Sequence, residues 1–248
     1  MKMTKMTVIQ LFGPANNLIS MLYDNKDYKE LVRRFDSFGG YEKVRIFESL
    51  LDYVIYGFCL NGGVLAWDYS DEQTKRFHEM FALWVKAAKT EIDSAGWCDI
   101  PGNLHQSCIY RRGGKGFLGQ YFSPENICTA MAAISMTPKS ESRIPSVYDC
   151  CCGSGRMLLA AYEKGIREKR RPYCAAKDID LLCVKMCTAN FLLHGVTGEV
   201  VWGDGLKPDD GRKCFLVNEN INNPLSPLFG VPHCRIADFL ETMQGHVS

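Results

Sequence analysis

Apolar positions along the first hundred residues recur every three or four places. Val44, Phe47, Leu51, Val54 and Phe58 mark one buried helix face, and Gly62-Gly63 closes the unit. Ser70 with Gln73 three residues on has the spacing of a capping box, and Phe77, Phe81, Trp84, Ala88 and Ile92 continue the helix it starts. These features predict an amino-terminal helical domain with its linker over 1–110. Residues 94–120 read as the connection, because Gly96, Pro101, Gly102, Gly113, Gly114, Gly116 and Gly119 break any period. Ser123-Pro124 suits the start of a short helix, with serine as cap and Ile127, Met131 and Ile134 on its inner face.

After Pro145 the pattern changes to short apolar runs alternating with amphipathic ones: SVYDC, RMLLAAYEKG, PYCAAKDID, LCVKMCTANFLLHG, EVVWGDGL and CFLVN. Such alternation predicts parallel strands joined by crossover helices. The expected fold class is therefore α/β, a Rossmann-like core over 111–248 behind the helical domain. The last stretch, NENINNPLSPLFGVPHCRIADFL, carries three prolines and little period, so irregular structure is expected before a short terminal helix.

Composition adds exclusions. With 29 basic and 28 acidic residues the formal charge is +1, so any nucleic-acid surface must be a local patch. No secretory signal and no bilayer-length apolar run is found, which predicts a cytoplasmic protein without a membrane partner. The 12 cysteines sit within apolar segments and are expected to be mostly buried, reduced thiols. Cys183 and Cys187 are four apart on a helix, near Cys150–Cys152 and His194 in the fold pattern, but no C-x-x-C pair accompanies them and no metal site is expected. His194 is read as a capping or packing residue, and the basic run from Lys164 to Arg171 as a solvated face.

Candidate chemistry lies at the strand ends. Asp149-Cys150-Cys151-Cys152-Gly153-Ser154-Gly155 stands where a strand turns into a helix, and a glycine turn there lets a ligand approach the backbone. Alone, such a turn fits a plain strand-to-helix connection equally well. Asp178, with Ile179 and Asp180 after it, ends the next strand, where a carboxylate can accept from ribose hydroxyls, although Asp178 or Asp180 can equally serve as a helix cap. Trp202-Gly203-Asp204-Gly205-Leu206 ends the third strand and contains only ordinary turn residues when taken singly. Three successive strands ending in carboxylates at one edge make a row of acceptors suited to a nucleoside.

Gly119-Gln120-Tyr121-Phe122-Ser123-Pro124, the Asp149–Gly155 turn, Asp178, the helix ending LLHG, and Gly203-Asp204-Gly205-Leu206 together resemble the modification-subunit family of type I restriction systems. These are adenine N6 DNA methyltransferases with G-Q-F-F-T-P, D-P-x-C-G-S-G, a strand-end acid and G-D-S-L in that order. Trp97-Cys98-Asp99-Ile100-Pro101-Gly102 is similar to the family's aromatic-x-D-I-L-G phrase. The resemblance implies S-adenosylmethionine as cofactor. Gln120, Tyr121, Phe122 and Ser123 would lie against its methionine part, and Gly153, Ser154 and Gly155 would pass beneath it. Asp178 would hold the ribose and Asp204 would accept from the adenine amino group, with Asp149, Ile179 and Leu206 completing the site.

The chain departs from that family in two places. Cys150 replaces a proline. Beyond the fourth strand, where the family carries N-P-P-F or N-P-P-Y, stand Val217-Asn218-Glu219-Asn220 and then Asn223-Pro224-Leu225. That family motif accepts the hydrogens of the adenine amine and stacks an aromatic on the flipped base. No catalytic residue is therefore assigned. Little chain follows Leu206, so a shortened sheet, self-association or a partner subunit is expected, with DNA as the implied macromolecular partner. Besides cofactor-dependent DNA adenine methylation, two readings remain: a non-catalytic scaffold keeping the fold, and a methyltransferase for a small molecule or protein.

Overall fold

The computed structural model describes residue 22 and residues 24–62, 69–110, 122–136, 145–207 and 209–239. Three helices come first: α1 Lys26–Asp36, α2 Lys43–Gly57 and α3 Asp71–Ala95. Asn25 caps α1 by accepting from the Asp27 and Tyr28 amides, and Ser70 with Gln73 forms the expected capping box on α3. The buried face of α2 is Ile46, Phe47, Leu50, Leu51, Val54 and Ile55, so the expected stripe is right at its centre and rotated at its ends, Val44 and Phe58 being only partly buried.

The stretch expected to be a loop contains a helix. Asp99 caps α4, Ile100–Leu104, and a π-helical turn, His105–Tyr110, continues it. Proline in the first helical turn gives up an amide that has no partner there anyway, which is why Pro101 did not break the element. The next helix, α5 Glu125–Ser135, begins at Pro124 with no side-chain cap from Ser123. Its inner face is Cys128 and Ala132, while Ile127, Met131 and Ile134 are exposed. The small residues let α5 lie close on the neighbouring helix α6, which reverses the expected orientation.

Five strands then form one mixed sheet in the order β1-β2-β3-β4-β5. They are β1 Ser146–Asp149, β2 Tyr173–Asp178, β3 Gly198–Trp202, β4 Lys213–Val217 and β5 Cys234–Asp238. The first three are parallel, joined through α6 Arg156–Arg167 and α7 Leu181–His194. Right-handed crossovers along a sheet that grows in one direction put both helices on one face. Every residue of α7 from Leu182 to Leu192 is buried, because the sheet lies on one side of it and α2 on the other.

The fourth strand departs from the parallel expectation. It returns antiparallel to β3, with Val217 opposite Gly198 and Lys213 opposite Trp202, and β5 is antiparallel to β4. Residues 203–212 are too few for a helical crossover, which takes a dozen or more residues. The tail expected to be irregular thus supplies β5, and the expected terminal helix lies outside the described residues. The segment after α2 covers the outer edge of β5: Leu60 N donates to Cys234 O at 2.8 Å, Cys234 N donates to Phe58 O at 2.9 Å, and Asn61 pairs both backbone groups of Ile236. On the far edge, β1 has no neighbouring strand among the described residues, and Tyr148 stands 59% exposed.

One continuous core joins the two parts, from Tyr28, Phe47 and Trp84 on the helices to Cys174, Phe191 and Val200 on the α/β side. Lys185 of α7 reaches Glu48 at 2.8 Å and Asp52 at 2.9 Å on α2. All cysteines except Cys59, Cys150 and Cys151 are buried. No helix among the described residues is long and apolar enough to cross a membrane.

Candidate functional site

Parallel pairing brings the carboxyl ends of β1, β2 and β3 to one edge, and with them Asp149, Asp178 and Asp204. Between β1 and α6 the chain turns through Gly153 at φ 54° and Gly155 at φ 88°, left-handed conformations in which a side chain is strained. Gly155 also abuts the Cys187 thiol, which a Cβ would meet at 2.8 Å. The turn at the end of β3 comes equally close to the glycine turn, since a Cβ on Gly205 would collide with the Cys150 carbonyl.

Asp178 ties this edge together. Its Oδ2 accepts from Gly153 N at 2.8 Å and its Oδ1 from Asp180 N at 2.9 Å, leaving further lone pairs on both oxygens. Burial raises its pKa, and those two amide bonds work in the opposite direction. The cap on α7 is Asp180, which accepts from Leu182 N, so the two neighbouring aspartates have separate roles. Asp149 accepts from Cys151 N. Asp204 accepts from Leu206 N, which holds its pKa below the usual value, aided by Lys207. Ile179 and Leu206 are 59% and 83% exposed beside this edge.

A cleft of about 250 Å³ opens over the turn, walled by Phe122, Ser123, Asp149, Gly153, Ser154 and Met157. The Phe122 ring lies on Gly153, 3.1 Å from where a Cβ would be. The structure thus brings together Phe122, Ser123, Asp149, Gly153, Ser154, Gly155 and Asp178, with Asp204 beside them. Gln120 and Tyr121 lie outside the described residues. A larger cleft of about 480 Å³ opens elsewhere, walled by Trp97, Leu159, Tyr162, Ile221 and Phe229. None of the three strand-end carboxylates lines it. His194, on its wall, accepts from Cys98 N through Nε2 and pairs Nδ1 with Asn190 O, the packing role expected for it. Lys164 and Arg167, at the end of α6, are ion-paired to Glu168 and Glu163.

The residues beneath the turn had no strong local signal. Asp99, fully buried, accepts from Ser154 Oγ at 2.6 Å, Arg156 Nε at 2.5 Å, Asn190 Nδ2 at 2.8 Å and Gly102 N at 2.9 Å. Arg156 goes on to Ser123 O, Asn103 and Gln106. The helical part therefore holds both the glycine turn and the Phe122-Ser123 wall through charge-assisted bonds. The phrase around Asp99 was the available clue, since an acid ahead of Ile-Pro-Gly is a helix cap with further acceptor capacity.

Asn218, where the resemblance would seek the catalytic loop, stands at the other end of the sheet. Because β4 runs backwards, Asn218 follows Val217 beside the start of β3. Its amide donates to Phe191 O and Val196 O and accepts from His233 N, and its φ is 54°. Asn223-Pro224 lies in the loop beyond it.

Residues 110–224 match the N-6 DNA Methylase family model. The chain is 26% identical over 108 residues to the methylase subunit of the type I restriction enzyme MpnII of Mycoplasma pneumoniae, a match spanning 42% of this chain and 20% of that one. The chain thus spans about a fifth of the curated relative's length. Among solved structures it is similar to a Listeria monocytogenes protein assigned as a class I S-adenosylmethionine-dependent methyltransferase, at 14% identity and TM-score 0.48, covering 74% of this chain and 55% of that one. It is also similar to a type I restriction-modification methyltransferase subunit of Streptococcus thermophilus, at 17% identity and TM-score 0.39, covering 78% and 44%. Residues 110–224, which contain the glycine turn and the strand-end carboxylates, are thus similar to the N-6 DNA methylase family, and part of the chain is similar to the methylase subunit of a type I restriction enzyme.

Proposed function

We propose that this protein binds S-adenosylmethionine over the Gly153–Gly155 turn and serves the cofactor side of adenine N6 methylation in DNA. The observation that carries this reading is Asp178, a half-buried strand-end carboxylate that anchors the glycine turn and keeps acceptor capacity on both oxygens. Ribose hydroxyls match those acceptors, and the glycine turn leaves room for the ligand above the backbone. Asp204 is the acceptor for the adenine amino group, Ile179 and Leu206 are the apolar surfaces flanking the base, and Phe122 and Ser123 form the wall on the amino-acid side. When bound, S-adenosylmethionine supplies an activated methyl group. Calorimetric titration of S-adenosylmethionine into the protein should show saturable binding. Asp178→Ala should weaken it by at least tenfold, about 1.4 kcal/mol, while the far-ultraviolet dichroism stays unchanged. No heat from the wild type at millimolar ligand overturns the reading.

A second reading is a non-catalytic module that keeps the cofactor fold within a larger methylating or restriction assembly. It is favoured by the placement of Asn218, whose amide is spent on backbone groups at the end of the sheet away from the cleft. The two readings share one expectation on turnover. With tritiated S-adenosylmethionine and mixed-sequence DNA, single-stranded or double-stranded, this chain by itself should form no N6-methyladenine above background. Base-handling groups would then come from another polypeptide or from residues outside this chain.

A further inference from the structure

Among the described residues, one buried imidazole has no hydrogen-bond partner at either nitrogen. His105, first residue of the π-helical turn, is 1% exposed, and neither ring nitrogen makes a hydrogen bond. A neutral imidazole carries one donor and one acceptor, and burying both unmade costs free energy that a phenyl ring would not. The other buried imidazole with an open nitrogen, His233, still pairs its Nδ1 with Val231 O. Turns of π-helix recur at functional sites, where they re-aim a side chain.

The surroundings of His105 point to the cleft. Its ring lies between Phe47 and Phe122, with centroids 5.7 Å away on each side. Phe122 is the ring that rests on Gly153, so a single aromatic separates the imidazole from the candidate ligand site. Phe122 is only half-buried. Burial pushes the imidazole pKa down, outweighing the pull of Asp180 and Asp99, so a neutral N–H stands ready near pH 7.

The chemistry of the cleft selects what that donor would meet. Asp149 lines the cleft and disfavours an anion beside it, while Asp178 lies behind the glycine turn, bonded to Gly153 N. On the opposite wall Arg156 is consumed by Asp99, Ser123, Asn103 and Gln106, and the Ser154 hydroxyl by Asp99. For a carboxylate entering beside Phe122 the wall offers the Ser123 hydroxyl, and His105 behind Phe122 is a further donor that makes no other hydrogen bond among the described residues.

We propose that His105 is a ligand-binding residue that, with Phe122 turned aside, donates a hydrogen bond to the carboxylate at the amino-acid end of the cofactor. This rests on the cofactor reading above and adds to it a residue and a ligand atom. The test compares S-adenosylhomocysteine with 5′-methylthioadenosine, which has the same nucleoside and no amino-acid end, on the wild type, His105→Phe and His105→Gln. Phenylalanine keeps the ring packing and removes the donor. His105→Phe should match or exceed the wild type in Tm, bind methylthioadenosine unchanged, and lose about tenfold in affinity for S-adenosylhomocysteine. His105→Gln, which restores an N–H, should recover part of that loss, and it answers the question if the phenylalanine variant folds poorly. Equal affinity of all three proteins for S-adenosylhomocysteine, or an equal loss for both ligands, overturns the inference and leaves His105 a packed ring. A wild type that binds neither ligand overturns the cofactor reading itself.

Discussion

Asp99 holds four donors in a dry site, one of them the Arg156 guanidinium, which is 6% exposed. Removing one partner of such a pair strands the other charge. Asp99→Ala should cost about 3–5 kcal/mol in denaturant unfolding. The replacement of both partners, Asp99→Leu with Arg156→Met, should cost less than the sum of the single changes. His105 and His194 give the fold a pH dependence. Burial holds both below their ordinary value of 6.5, so the unfolded chain takes up protons first as the pH falls. Their contribution is present in full above about pH 6.5 and is lost as the pH drops toward their folded values. Thermal melts from pH 7.5 to 5.5 should show Tm falling with acidification, and His105→Phe should make the slope shallower. At this scale the sequence shows Gly153, Asp178 and Asp204 through their places in strand-end turns. Asp99 and His105 escape it, because their meaning depends on partners 50 or more residues away or on having none.

At the scale of elements, the sequence pattern located α2, α3, α5 to α7 and β1 to β4, missed α4 and β5, and did not tell which way the elements face or run. On α5 the largest apolar residues point to solvent, and Cys128 with Ala132 makes the contact with α6. A hydrophobic stripe marks a face only when bulk and burial agree, and close helix packing selects small residues instead. Ile134→Lys should therefore leave stability within about 0.5 kcal/mol, whereas Ala132→Lys should cost several times that, as read by urea unfolding. Strand direction is equally silent in an apolar run such as Cys-Phe-Leu-Val. The length of the connection between β3 and β4 carries the information, since it is too short for a crossover helix. That single reversal moves Asn218 from the ligand edge to the opposite one.

For the whole molecule, the helical part and the α/β part are one cooperative structure. They share a core, the Lys185 contacts to Glu48 and Asp52, and the Asp99 network beneath the glycine turn. A fragment starting at residue 97 should lack a sigmoidal melt and bind the dye 8-anilinonaphthalene-1-sulfonate, as chains with exposed apolar cores do. A two-state transition in that fragment, with bound S-adenosylmethionine, would show that the α/β part is self-sufficient.

The short clasp of residues 58–61 over β5 settles where this architecture can be extended. With the β5 edge occupied by its own polypeptide, the seam left open among the described residues is the one beside β1. That seam adjoins the glycine turn, so whatever zips onto it arrives next to the candidate cleft rather than at the remote side of the sheet. A strand joining there brings its side chains to the candidate site.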